Sequence, residues 1–154
     1  MPDQKPPWLA SDERSTLLAL LQCQRESMVR KVHGLTDEEA ARSPVVTGTS
    51  LIWLVRHLAW AEQLWLLQRF AGRTLDPADL SSDDGTLADA VAAYRRTWAL
   101  VGAVIDDADL EDPCADPAAT VNLRWVLAHL LEETARHAGH ADILRELIDD
   151  QTGR

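Results

Sequence analysis

A chain of 154 residues, 46% of them hydrophobic, is long enough to bury one core, and we expect residues 1–154 to form a single domain. The formal net charge of −10 disfavours nucleic acid and anionic membrane surfaces as partners, because an acidic protein releases no counterions from them. No apolar run approaches the roughly 20 residues that span a bilayer, and the N-terminus lacks the apolar stretch of a signal peptide, so we expect a cytoplasmic protein.

The first half of the chain has the hydrophobic pattern of two long helices. The first is expected over residues 12–33, with Ser11 as its N-cap and Gly34 as its stop, and a short helix with a capping box should open at Thr36. The second is expected over residues 50–71 and is apolar almost all round. Such a helix should be buried on more than one side, which indicates a subunit interface and a homodimer.

The second half of the chain adds two more helices and no strand-like alternation of any length. The connection over residues 72–85 is rich in Asp, Ser and Pro, so we expect a long crossover loop. Thr86 starts the third helix, whose apolar residues keep the alternating three and four spacing of a bundle seam. After a second loop over residues 106–120, a fourth helix should follow over residues 122–149. These elements predict an all-α fold, a four-helix bundle with a long crossover connection.

Two polar residues interrupt the apolar face of the fourth helix. Glu133 and His137 are four residues apart and, at 100° per residue, point to the same side as the leucines. A carboxylate on a core face is costly unless it is paired or coordinated. His57, on the second helix, would add a ligand from a facing helix and complete a divalent metal site with open positions. The alternative is that His57 is a hydrogen-bonded core histidine and that Glu133 pairs on the helix surface with Arg136 or His137.

Three further residues of the fourth helix lie close to these candidates. His140 falls about 60° from His137 on the helical wheel, so a fourth ligand, a hydrogen-bonding partner of a ligand and a catalytic general base all remain open for it. His129 is expected to have a surface or packing role. Gly139 weakens a helix interior, which suggests that another helix or a ligand approaches closely there.

The six tryptophans are expected to lie mostly in the core. Trp53 and Trp60 differ, because they flank His57 on its own helical face and could wall a pocket for a substrate or cofactor. The sequence contains no Gly-rich phosphate loop or nucleophile elbow, and its two cysteines form no metal-binding pattern. The chemistry therefore centres on the histidines and the carboxylate.

Two segments, residues 49–62 and residues 129–146, resemble the DinB/YfiT-like superfamily of metal-binding helical bundles, in particular a bacterial DinB-like subfamily. The resemblance extends from about Leu17 to Ile148. It implies a four-helix bundle, often dimeric, that holds Zn or Ni near one end. Many members use three histidines, of which the last two are four residues apart, and this chain has Glu133 at the first of those two positions.

A His, a Glu and a His bind zinc in the mycothiol-dependent maleylpyruvate isomerase branch, to which the present set is similar. By that match His57, Glu133 and His137 are the metal ligands. Characterised relatives use the metal to lower the pKa of a low-molecular-weight thiol, which makes the thiol nucleophilic. The resemblance thus implies mycothiol or a similar thiol as a second cofactor beside the divalent metal.

The sequence accordingly predicts a divalent-metal-dependent enzyme that acts on a small molecule, with thiol S-transfer or isomerisation as the first expectation. The alternative is a non-catalytic metal-binding stress or sensor protein that acts as a dimer. Hydrolysis by a metal-bound hydroxide is a third and less favoured possibility. An open coordination site beside a pocket favours the enzyme, whereas closure of the site by His140 as a fourth ligand favours a structural metal.

Overall fold

The structure, a computed structural model, describes residues 5–9, 11–75 and 85–152. Most of the predicted crossover loop, residues 76–84, lies outside them. The helices are α1 (Glu13–Val32), α2 (Asp37–Ala41), α3 (Leu51–Glu62), α4 (Leu87–Asp106) and α5 (Leu123–Asp149), and α3 continues directly into a π-helical segment, Gln63–Phe70. In the described part of the chain the strand-type pairing is limited to an isolated bridge between Pro113 and Asn122. The expected all-α fold class is confirmed.

Side-chain caps set the starts of the helices. The Ser50 hydroxyl accepts a hydrogen bond from the backbone N–H of Trp53 at the start of α3 (3.4 Å), and the Asn122 amide oxygen accepts one from Trp125 at the start of α5 (3.1 Å). The N-cap of α1 is Asp12 and not Ser11 as expected, since the Asp12 carboxylate accepts from the N–H of a first-turn residue and adds negative charge at the positive end of the helix dipole.

The chain divides into two compact units, Met1–Val55 with Leu131–Arg154, and Arg56–Leu130. Both boundaries fall inside helices, so α3 and α5 each contribute residues to both units. The prediction of a single domain stays a prediction. Apolar side chains fill both units; the fully buried ones include Leu21, Met28, Leu51, Leu54 and Ala141 in the first and Leu66, Tyr94, Val101, Leu123 and Leu127 in the second.

In the first unit, Arg145 ties α5 to the end of α1. Its guanidinium is buried and donates hydrogen bonds to the carbonyl oxygens of Lys31 (2.8 Å) and His33 (3.0 Å). The last carbonyls of a helix lack partners within the helix, so these bonds satisfy groups that would otherwise need water. The other edge of the guanidinium donates to Asp149 (2.9 and 3.0 Å). Arg145 therefore fixes the half of α5 that carries Glu133 and His137.

In the second unit, the connection between α4 and α5 is held against the end of the π-helical segment. The backbone N–H groups of Ala115 and Asp116 donate to the carbonyls of Phe70 (3.0 Å) and Arg69 (2.9 Å). Gly72 makes this approach possible, since its φ is +66° and a Cβ there would meet the Cβ of Ala115 at 3.0 Å. The start of α5 is thereby positioned beside the end of the second long helix.

The apolar residues of the second long helix are mostly covered within the chain. Leu51, Ile52, Leu54, Val55, Leu58, Leu66 and Leu67 are all buried. Two large apolar side chains of this helix stay exposed, Trp53 at 45% and Trp60 at 39%. Burial within the chain thus accounts for most of the apolar residues of this helix. The homodimer stays a prediction that light scattering can test. In the described residues no helix is both long and apolar enough to cross a membrane.

Candidate metal centre

Helices α3 and α5 bring the three predicted ligands together. One donor atom from each of His57, Glu133 and His137 lies within 4.8 Å of the other two. Three atoms that are at most 4.8 Å apart all lie within about 2.8 Å (4.8 Å divided by √3) of a common point. That distance is about 0.7 Å longer than a zinc–nitrogen bond of 2.0–2.1 Å. All three residues are half-buried. The three donor atoms are therefore close enough to one another to be candidate ligands of one ion.

Glu133 and His137 contact each other directly. The Nε2 atom of His137 lies 3.1 Å from Oε1 of Glu133, and the side chains of His137 and Glu133 are only 12% and 20% exposed, respectively. This is one of the two pairs that the alternative interpretation named, whereas the other candidate partner, Arg136, pairs with Glu132 in solvent. A carboxylate and an imidazole held together in a largely covered position suit metal coordination better than surface pairing, because burial of an uncompensated charge is costly.

His140 contacts the opposite side of the His137 ring. The two Nδ1 atoms are 3.2 Å apart, a hydrogen-bonding distance. His140 is itself exposed, and it does not belong to the group of three converging donors. Both ring nitrogens of His137 therefore have polar neighbours, Glu133 at Nε2 and His140 at Nδ1.

The two exposed tryptophans of α3 stand beside this centre. The Trp53 ring meets His137 edge to face, with centroids 6.4 Å apart and an interplanar angle of 83°. The Trp60 ring packs against His57 at 5.8 Å. Large aromatic side chains that stay in water next to a polar centre offer apolar surface to a ligand. Trp53 thus contacts the candidate ligand His137, and Trp60 contacts the candidate ligand His57.

An aromatic cluster adjoins the same face of α5, and it was not predicted from the sequence. Trp65, Trp125 and His129 contact one another with ring centroids 4.8–5.2 Å apart, and the guanidinium of Arg69 lies 4.2 Å from the Trp65 ring. His129 packs against the rings of Trp65 and Trp125, in agreement with the packing role expected for it. The sequence contained a signal for this cluster in its spacing. Every fourth residue of this part of α5 is aromatic, histidine or glutamate, namely Trp125, His129, Glu133 and His137, so these residues share one helix face.

A groove of about 570 Å³ borders this cluster at the start of α5. Its lining includes Trp125 and the half-buried Cys114. Burial is the main cause that raises the pKa of the Cys114 thiol, and Asp116 nearby raises it further. A neutral thiol is a poor nucleophile. Cys114 therefore does not have the lowered pKa that activates a nucleophilic cysteine.

We expected another helix or a ligand to approach Gly139 closely. For another helix this expectation is wrong. Apart from its two chain neighbours and the nearby helix backbone, a Cβ built on Gly139 would meet no atom of the described chain within 4 Å, and the residue is exposed. The glycine therefore serves no packing of helix against helix.

Comparison with known proteins gives both a family and a fold. Residues 16–150 match the family model described as mycothiol-S-transferase. A crystal structure of a conserved protein from Enterococcus faecalis is similar to this chain with a TM-score of 0.64 and 19% identity, over 92% of this chain and 100% of that one. At that identity the likeness concerns the fold alone. A search of the curated proteins returned no match.

Proposed function

Because the chain belongs to the mycothiol-S-transferase family, we propose that it transfers a low-molecular-weight thiol of the mycothiol type to a small electrophile at a divalent-metal centre. In the overall reaction a thiol S–H bond and a bond from carbon to a leaving group are replaced by a carbon–sulfur bond and the protonated leaving group. The observation that carries the proposal is the convergence of His57, Glu133 and His137 in a half-buried position beside exposed tryptophans.

The residues present fit a divalent cation. Two imidazoles and one carboxylate suit borderline ions such as Zn and Ni, and three protein ligands leave positions for a thiol or a substrate. His140 is not among the three converging donors, and its Nδ1 lies 3.2 Å from Nδ1 of His137, which supports an open position at the cation. His57, Glu133 and His137 would hold the cation, and the charge of Glu133 would offset part of the cation's charge.

When bound, the cation would supply Lewis acidity, which lowers the pKa of a thiol from about 8.5 and favours the thiolate at neutral pH. The chain's own residues supply the remaining functions. Trp53 and Trp60 would cover the apolar parts of the thiol or substrate and exclude water from the reacting sulfur.

The proposal is tested with protein purified without added metal. We expect about one equivalent of Zn or Ni per chain by elemental analysis. We also expect catalysed transfer of mycothiol to monochlorobimane, in which chloride is displaced and the product fluoresces. His57→Ala should lose both the metal and the catalysed rate. His33→Ala is the matched control, since it removes an exposed imidazole at the end of α1 and should retain both.

Three results would count against this proposal. Full turnover by metal-free His57→Ala protein would exclude metal catalysis. Equal rates with mycothiol and glutathione would remove the specificity for a mycothiol-type thiol. Tight metal binding with no turnover of any thiol would favour the non-catalytic alternative, a metal-binding stress or sensor protein.

A further inference from the structure

The environment of His137 determines which of its ring nitrogens carries a proton. Nε2 lies 3.1 Å from Oε1 of Glu133, and Nδ1 lies 3.2 Å from Nδ1 of His140. The edge-to-face contact with Trp53 restricts the ring further. A neutral imidazole has one N–H and one acceptor nitrogen. The partners of the two nitrogens are therefore linked, because a proton on one side of the ring excludes a proton on the other.

We propose that His140 is a positioning residue that reverses its hydrogen bond with His137 when the metal binds. This proposal rests on the proposed metal centre. If Nε2 of His137 donates its lone pair to the metal, the ring proton is on Nδ1, and His137 donates to Nδ1 of His140. The proton of His140 is then on its own Nε2.

Without a metal the requirement is the opposite. The Glu133 carboxylate only accepts hydrogen bonds, so the 3.1 Å contact is favourable when Nε2 of His137 carries the proton. Nδ1 of His137 then accepts, and His140 donates from its Nδ1. The exchange balances: His137 loses a proton from Nε2 and gains one at Nδ1, whereas His140 loses one from Nδ1 and gains one at Nε2. Water at the exposed His140 can supply and remove these protons.

A partner of this kind must be able both to donate and to accept. Histidine does so by changing tautomer, and glutamine does so by turning its amide. Alanine does neither. His140→Gln should therefore preserve the orientation of His137, and His140→Ala should not. This difference separates a positioning role from simple packing, since alanine would be tolerated if His140 only filled space on an exposed surface.

The test measures Zn affinity by competition with a chromophoric chelator in four proteins: wild type, His140→Ala, His140→Gln and His33→Ala. We expect His140→Ala to keep one Zn per chain with an affinity about 10- to 100-fold weaker, the usual loss when the hydrogen-bonding partner of a metal ligand is removed. His140→Gln and His33→Ala should stay within about threefold of wild type, below the smallest loss expected from that mechanism.

Nitrogen-15 NMR of the histidine rings gives a readout that does not depend on activity. At a pH at which both rings are neutral, His137 should be protonated at Nε2 in metal-free wild type and at Nδ1 in the zinc-loaded protein. A zinc-loaded protein with no proton on Nδ1 of His137 would overturn the proposal. So would His140→Ala protein with wild-type zinc affinity, while the metal centre itself would stand. Loss of the bound zinc in His140→Ala would make His140 a ligand, and failure of the wild type to bind zinc would overturn both proposals.

Discussion

Arg145 should contribute more to stability than any surface arginine of α5, and its removal can be quantified. The side chain is 9% exposed and makes hydrogen bonds to two backbone carbonyls at the end of α1 and to Asp149. A hydrogen bond to a charged group contributes about 1.5–3 kcal/mol, and breaking a buried ion pair costs about 3–5 kcal/mol. Because Asp149 is 22% exposed and can be rehydrated, we take the lower end, about 3 kcal/mol, for Arg145→Ala.

A loss of about 3 kcal/mol is a large part of the 5–15 kcal/mol that stabilises a typical domain, and it should lower Tm by roughly 6–12 °C in a chain of this length. Urea unfolding in the presence of a chelator measures the effect separately from metal binding. Arg136→Ala is the matched control on the same helix, since Arg136 is 61% exposed and forms an ordinary surface pair, for which we expect at most about 0.5 kcal/mol. If Arg145→Ala and Arg136→Ala differ by less than 1 kcal/mol, the anchoring role assigned to Arg145 is wrong.

Gly139→Ala should stabilise the protein by about 1 kcal/mol in urea unfolding, because the added methyl group meets open space and alanine favours the helix; a loss of stability would mean that the glycine is needed for packing. The hydrogen bond from Arg145 is the main cause that lowers the pKa of Asp149 in the folded protein. The stability that this carboxylate adds is therefore fully present above its ordinary pKa of about 3.9. It is lost as the pH falls through the lower pKa of the folded state. Wild type should therefore be more stable than Asp149→Asn at pH 7 and should approach it below pH 4, and a pH-independent difference would contradict this. Removal of the metal with a chelator should lower Tm, since a ligand bound only to the folded state stabilises it by about 4 kcal/mol at 1,000 times its Kd; an unchanged Tm would argue against a tightly bound metal.

The elements that sequence reasoning placed well depend on local signals. Thr36 and Thr86 each form a complete capping box with the acidic residue three positions later, a pattern that is visible in the sequence. The resemblance to DinB/YfiT-like bundles is confirmed by the family match over residues 16–150. The spacing of Glu133 and His137 indicated a shared face, and the structure places them in contact.

The features that could not be predicted depend on distant or atomic detail. The partners of the Arg145 guanidinium lie 112 and 114 residues away in the chain, so no local pattern reveals them. Ser11 and Asp12 are both good N-caps, and the choice between them depends on which side chain reaches the N–H of Ser15. Helical spacing put His140 near His137, but only the three-dimensional structure shows that the contact joins the two Nδ1 atoms.

We propose that α3 and α5 form a metal centre from His57, Glu133 and His137. Anomalous X-ray diffraction from crystals of protein purified without added metal tests it most directly, at the absorption edges of zinc and nickel. We predict one anomalous peak, with a donor atom of each of the three residues about 2.0–2.3 Å away and at least one position open to solvent or a thiol. A peak held by other residues, or a well-ordered structure in which the three side chains point apart without an ion, would contradict the proposed metal centre.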